Sequence, residues 1–202
     1  MSEPVCSVVG MEMLLTNERL AEVAGGLVAL GDASRDVELI ERIRLLEVLK
    51  NAASAAQAQA SVALRKLRED EQRAAGRPTA KTAGSVAAEV ALARRESPYR
   101  GRMLLGLATV LGRELPCTMA LFASGEISEY RALLMVRETA CLSRLDRGRV
   151  DAALAGELAG LSDREIVARA KQTAYQLDPH SVVERVARAE ADRRVTIRPA
   201  PD

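Results

Sequence analysis

Between Leu39 and Leu67 apolar residues recur at steps of three or four: Leu39, Ile43, Leu46, Leu49, Ala53, Ala56, Ala60, Ala63 and Leu67. Only a helix gathers such positions on one face, because its turn holds 3.6 residues; a strand, with its period of two, would scatter them. The stripe predicts one long helix within residues 32–76. Asp36 and Glu38 in its first turn suit the positive end of the helix dipole. Gly76, Pro78 and Gly84 end it, and residues 77–84 form a charged, breaker-rich hinge. The middle, NAASAAQAQASVA, is nearly all small. Small side chains let a partner helix come close, and two seams fit Leu46, Leu49, Ala53, Ala56, Ala60, Ala63 and Leu67. One is a packed face inside a single domain; the other is a coiled-coil homodimer.

The rest of the 202-residue chain reads the same way. Trp is absent, Phe122 is the single Phe, and Tyr is limited to Tyr99, Tyr130 and Tyr175. A core must therefore be built from Ala, Leu and Val, a palette richer in helix formers than in the aromatic and β-branched residues of sheets. Start signals recur along the chain. Thr16 precedes NERLAEVAGGLV, Ser97-Pro98 precedes YRGRMLLGLATVL, and Leu115-Pro116 precedes CTMALFASG. Ser128, Ser143 with Asp146, Ser162 with Glu165, and Asp178-Pro179 open four more helices. The expected class is all-α, a multi-helix bundle built on the long helix. The parts are an arm with a short helix (1–31), the long helix (32–76), the hinge (77–84), a bundle (85–194) and a short extended segment (195–202). VTIR in that last segment alternates like half of a strand with nothing to pair with, as where a longer protein continues.

Several functions lack support. The formal net charge is +1, so attraction to a polyanion must come from local clusters rather than a global field. Cys6, Cys117 and Cys141 are odd in number and widely spaced, as reduced thiols in a cytoplasmic protein would be. His180, the only histidine, falls at a helix start without companions for a metal or an acid–base site. No Gly-rich phosphate loop follows a strand, and no pair of carboxylates is singled out. We expect no catalytic residues, no metal and no cofactor. No apolar run approaches the roughly 20 residues of a membrane span, and the start lacks a basic n-region for a secretory signal.

One segment stands apart. VAAEVALARRESPYRGRMLLGLA, residues 86–108, reads as helix, tight turn, helix, with Arg94, Arg95, Arg100 and Arg102 against Glu96. In a helix-turn-helix the second helix enters the major groove with its N-terminal residues towards the bases. Ser97 and the N–H groups beside it suit a phosphate. Arg100 and Arg102 suit phosphate or guanine, and Tyr99 suits backbone or a thymine methyl. The candidate duplex-DNA contacts are thus Arg94, Arg95, Ser97, Tyr99, Arg100 and Arg102. The same spacing also makes an ordinary corner in a bundle.

Several separated motifs carry a family resemblance. Glu89, Ala91, Ala93, Arg94, Ser97 and Pro98 form an E-x-A-x-A-R-x-x-S-P stretch. Gly125, Ile127, Ser128 and Ala132 form a G-x-I-S-x-x-x-A stretch, and Leu177-Asp178-Pro179 and ADRRVTIRPAPD follow. With these, residues 30–202 resemble the actinobacterial 13E12 repeat family, built on domain of unknown function 222. Members are typically longer, associated with mobile or repeated elements, and carry an HNH endonuclease domain towards the C-terminus. Such a domain needs histidines around a metal, which this chain lacks, so nuclease activity is not carried over. The resemblance implies a non-catalytic module that targets DNA. The alternative is a helical assembly or protein-interaction module working through the long helix.

Overall fold

In a computed structural model, residues 16–32 and 35–191 are described. They form α1 (Asn17–Val28), α2 (Asp36–Ala74), α3 (Thr82–Ala93), α4 (Pro98–Glu114), α5 (Pro116–Ala123), α6 (Glu129–Glu138) and α7 (Arg144–Leu154). A 3-10 turn at Leu158–Gly160 leads to α8 (Asp163–Leu177) and α9 (Pro179–Ala191). Among the described residues there is no strand, and the class is all-α. The expected extended segment, 195–202, lies outside the described residues. No single described helix is long and apolar enough to cross a membrane.

The start signals act as their chemistry requires. Thr16, Ser97, Ser128, Ser143 and Ser162 all have extended backbone, and each side-chain oxygen accepts from the N–H three residues on. At Ser162 the backbone N–H donates in return to the Glu165 carboxylate at 2.8 Å, which completes a capping box. Pro98 and Pro116 open α4 and α5, and between those helices the chain turns by 114°. α3 begins at Thr82, inside the expected hinge at 77–84, so Gly84 lies in its first turn. Glycine weakens a helix there without breaking it.

The chain divides into two units, Met1–Arg42 and Ile43–Asp202. In the first, Thr16 caps α1, and the Arg42 guanidinium donates to the Gly31 carbonyl at 2.7 Å. The second unit holds the core. Leu107, Leu111 and Leu115 pack with Phe122, Ile127, Leu134, Met135, Val150, Leu154 and Ile166, and Ala55 and Ala58 join from α2. A smaller cluster of Val86, Ala87, Val90 and Leu105, with Leu64 against it, binds α3 to α4 and α2.

The buried face of α2 differs from the apolar stripe. Asn51, Ala55 and Ala58 are buried, whereas Ala53, Ala56, Ala60, Ala63 and Leu67 are exposed. The two faces lie about 150° apart round the helix. From Ala53 to Leu67 the stripe is therefore not used as an intramolecular packing face, whereas Leu46 is half-buried. The reason is tertiary: Asn51 breaks the apolar pattern on the face that packs. It is buried because its side-chain amide donates to the Gly125 carbonyl at 3.2 Å. Gly125 adopts φ +82, and a Cβ there would lie 2.5 Å from the Val48 carbonyl oxygen. Only glycine allows the α5–α6 turn to approach α2 this closely.

A charged corner between α3 and α4

α3 ends in a reversal that satisfies its last carbonyls. Arg95 N–H donates to the Leu92 carbonyl at 3.1 Å, and Glu96 N–H donates to Ala91 at 2.8 Å. This six-to-one bond needs a left-handed residue just past the helix, and Arg95 takes φ +55. Gly76 after α2 and Gly125 after α5 close their helices with the same bond pattern at φ +64 and +82. Arg95 is the one residue other than glycine with positive φ among those described, in a conformation that costs an L-residue about 1–2 kcal/mol. Its side chain is exposed.

Ser97-Pro98 then starts α4. Gly101 sets how tightly α4 packs on α3, since a Cβ there would lie 2.4 Å from the Ala87 carbonyl and 2.6 Å from the Ala91 side chain. α4 buries Gly101, Leu104, Leu105, Leu107, Ala108 and Leu111 and leaves Tyr99, Arg102, Met103, Gly106, Gly112 and Arg113 outside.

The six candidate DNA-contact residues share this corner but divide by partner. Arg94 donates through both Nη1 and Nη2 to the Glu129 carboxylate at 3.2 Å, with only about a fifth of either side chain exposed. Arg100 reaches the other oxygen of Glu129 at 3.3 Å. Ser97 uses its hydroxyl oxygen to cap α4. Arg95, Tyr99 and Arg102 project into solvent, and neither Arg95 nor Arg102 has an ion-pair partner among the described residues. Four arginines face two glutamates, Glu96 and Glu129, so the corner stays net positive.

Beside it, α2, α4 and α6 enclose a cavity of about 280 Å³, lined by Lys50, Ser54, Arg100, Met103, Tyr130 and Leu133 among others. Lys50 pairs with Glu47 at 2.6 Å and holds that carboxyl below its ordinary value through the hydrogen bond. Each cation on the cavity wall thus has a carboxylate partner. Among the described residues no group of three or more His, Cys, Asp or Glu side chains could hold a metal ion. Cys117 and Cys141 are half-buried and form no disulfide.

Sequence reasoning missed three residues. Glu129 holds Arg94 and Arg100 from a helix about 30 residues away. Asp151, buried on α7, accepts from the backbone N–H of Cys117 at 2.7 Å, and from the N–H and hydroxyl of Thr118 at 2.9 and 2.5 Å. It thereby caps α5, which has no side-chain cap of its own. Arg147 binds the Thr139 and Ala140 carbonyls at the end of α6 and pairs with Glu114 at 2.7 Å. None of these tasks leaves a periodic signal.

The separated motifs turn out to build this architecture. Glu89 pairs with Arg68 of α2 at 3.2 Å. Ala91 receives Gly101, Ser97-Pro98 starts α4, and Arg94 ties α3 to α6. In the later motif Gly125 approaches α2, Ile127 and Ala132 enter the core, and Ser128 caps α6. Asp178 accepts from the Ser181 N–H at 3.0 Å at the start of α9.

Fold and corner together define an all-helical domain whose motif residues hold helices in place. The chain belongs to the family described as domain of unknown function, DUF222, which matches residues 44–202. No curated protein and no solved structure matches the chain.

Proposed function

We propose that this domain is a DNA-targeting module, non-catalytic by itself, that contacts the backbone of duplex DNA through Arg95, Arg102 and Tyr99. The observation that carries the reading is Arg95. The chain uses glycine at two other helix ends that need a left-handed residue, and here it places a strained, exposed arginine instead. Strain held at an exposed charged residue is the pattern of a functional position. Arg94 and Arg100 serve the site indirectly: tied to Glu129, they hold the turn that presents Arg95 and Arg102. In relatives with an HNH domain, such a module would position the nuclease on its substrate. The test is fluorescence anisotropy of the chain with a labelled duplex at two salt concentrations. Binding should weaken steeply with salt, because neutralised phosphates release counterions. Arg95→Ala with Arg102→Ala should reduce both affinity and salt slope without changing the thermal midpoint. No binding at either salt refutes the reading.

A second reading is favoured by the outer face of α2. Leu49, Ala53, Ala56, Ala60, Ala63 and Leu67 run down it with coiled-coil spacing and remain exposed, opposite the face that packs. This face supports self-association through the long helix, and a dimer is compatible with DNA binding. Light scattering should then report a homo-oligomer that Ala60→Glu dissociates. A monomer at high concentration refutes this reading.

A further inference from the structure

The exposed face of α4 does not end at the corner. Arg113 follows Arg102 by 11 residues, three turns on, so both lie on one side of the helix about 16.5 Å apart along the axis. Between them the face carries Gly106, beside which a side chain would meet nothing within 4 Å, and then Thr109 and Val110. At the far end α4 meets α7 across an open groove of about 600 Å³, where Arg113, Arg144 and Arg149 surround Leu145 and Gly148.

The charges of this groove are unevenly matched. Arg149 pairs with Asp146 at 3.0 Å, and Glu114 is taken by Arg147 at 2.7 Å. Arg113 has no ion-pair partner among the described residues. Arg144 donates one hydrogen bond to the Arg113 carbonyl at 3.1 Å, one use of a guanidinium that carries five N–H donors. Both side chains are exposed. The groove therefore keeps two uncompensated cations over an apolar floor.

We propose that Arg113 and Arg144 form a second phosphate-contact site for the same duplex that meets Arg95 and Arg102, with α4 lying along the DNA rather than end-on. This rests on the DNA-targeting reading above. The separation selects the ligand class. A free phosphate or a single nucleotide cannot bridge cationic points about 16.5 Å apart, whereas a duplex offers one phosphate charge per about 1.7 Å of its axis. Bare Gly106 leaves room for the backbone to pass close to the helix.

The experiment measures anisotropy against salt for the full chain with a labelled mixed-sequence duplex. Three variants accompany the wild type: Arg113→Gln with Arg144→Gln, Arg113→Gln alone, and Arg95→Ala with Arg102→Ala. The groove double variant should lower the slope of log affinity against log salt by about 1.8, and Arg113→Gln alone by about 0.9. Because the Arg113 side chain has no partner among the described residues, the single variant tests the idea even if removing Arg144 loosens the end of α4. Wild-type binding with an unchanged slope in the groove variants, while the corner variant weakens, overturns the second site and leaves the first standing. Weakening by the groove variants alone supports the second site and removes the first. Absence of wild-type binding overturns both.

Discussion

Replacing Arg95 by glycine should move stability and DNA binding in opposite directions. At φ +55 an L-residue costs about 1–2 kcal/mol that glycine does not, while glycine's added freedom in the unfolded chain returns about 0.5–1 kcal/mol of that gain. The Arg95 side chain makes no ion pair among the described residues, so little else is lost. The net expectation is a gain of about 0.5–1 kcal/mol, or a midpoint raised by about 1–4 °C for a chain of this size. The same change deletes one proposed phosphate contact. The salt slope should fall by about 0.9, which is worth about 3.5-fold in affinity between about 50 and 200 mM salt. Thermal unfolding followed by circular dichroism measures the first quantity, and anisotropy titrations at several salt concentrations measure the second. Arg95→Lys keeps the charge and should preserve the slope while leaving the strain in place. The reasoning is refuted if Arg95→Gly lowers the midpoint, because the turn would then not be strained. It is equally refuted if stability rises with the slope unchanged, because the arginine would then not meet phosphate.

Other perturbations probe the supports of this corner. Glu129→Gln removes the carboxylate shared by two arginines; with Arg94 and Glu129 about four-fifths buried, Arg100 more exposed, and the bonds at 3.2–3.3 Å, the loss should be about 1–2 kcal/mol. Thermal unfolding measures that loss, and an unchanged midpoint would show that Glu129 does not hold the corner. Asp151→Ala leaves the start of α5 uncapped inside the core and should cost about 3 kcal/mol, a fall of about 6–12 °C in the midpoint, with Asp151→Asn losing less. A fall under 2 °C for the alanine variant, on that same scale, would show the cap to be dispensable. The Glu165 carboxyl is held below its ordinary value first by the Ser162 hydroxyl and then by the Ser162 backbone N–H, and Asp178 is held low in the same way by Ser181. Each binds its proton less tightly folded than unfolded, so its contribution is full above the unfolded value, about 4, and is lost as pH falls through the folded value. Glu165→Gln with Asp178→Asn should flatten the acid side of a midpoint-against-pH curve; an unchanged acid side would count against both caps.

Local chemistry was legible in the sequence because its partners are close along the chain. A serine capping the N–H three residues on, a proline at a helix start and a 3.6-residue period all act within one or two turns, so Ser97-Pro98, Ser128, Ser143 and Ser162 announced the helices they open. The all-α class followed from the same signals and from a core that must be built of Ala, Leu and Val. The corner at Arg94–Arg102 was visible as a cluster of charge, and its family motifs were visible as spaced residues. Tertiary structure alone decided which arginines stay free. Glu129 lies on α6 and meets Arg94 across 35 positions, and no local pattern records that pairing. The same holds for the two faces of α2. Alanine lies on both, so hydrophobicity could not choose between them. The choice rests on Asn51 reaching Gly125 across 74 positions and on a glycine that lets backbone approach backbone. Long-range hydrogen bonds and close approach depend on how helices are arranged in space, and that arrangement turned the apolar stripe outward and left Arg95 and Arg102 facing solvent.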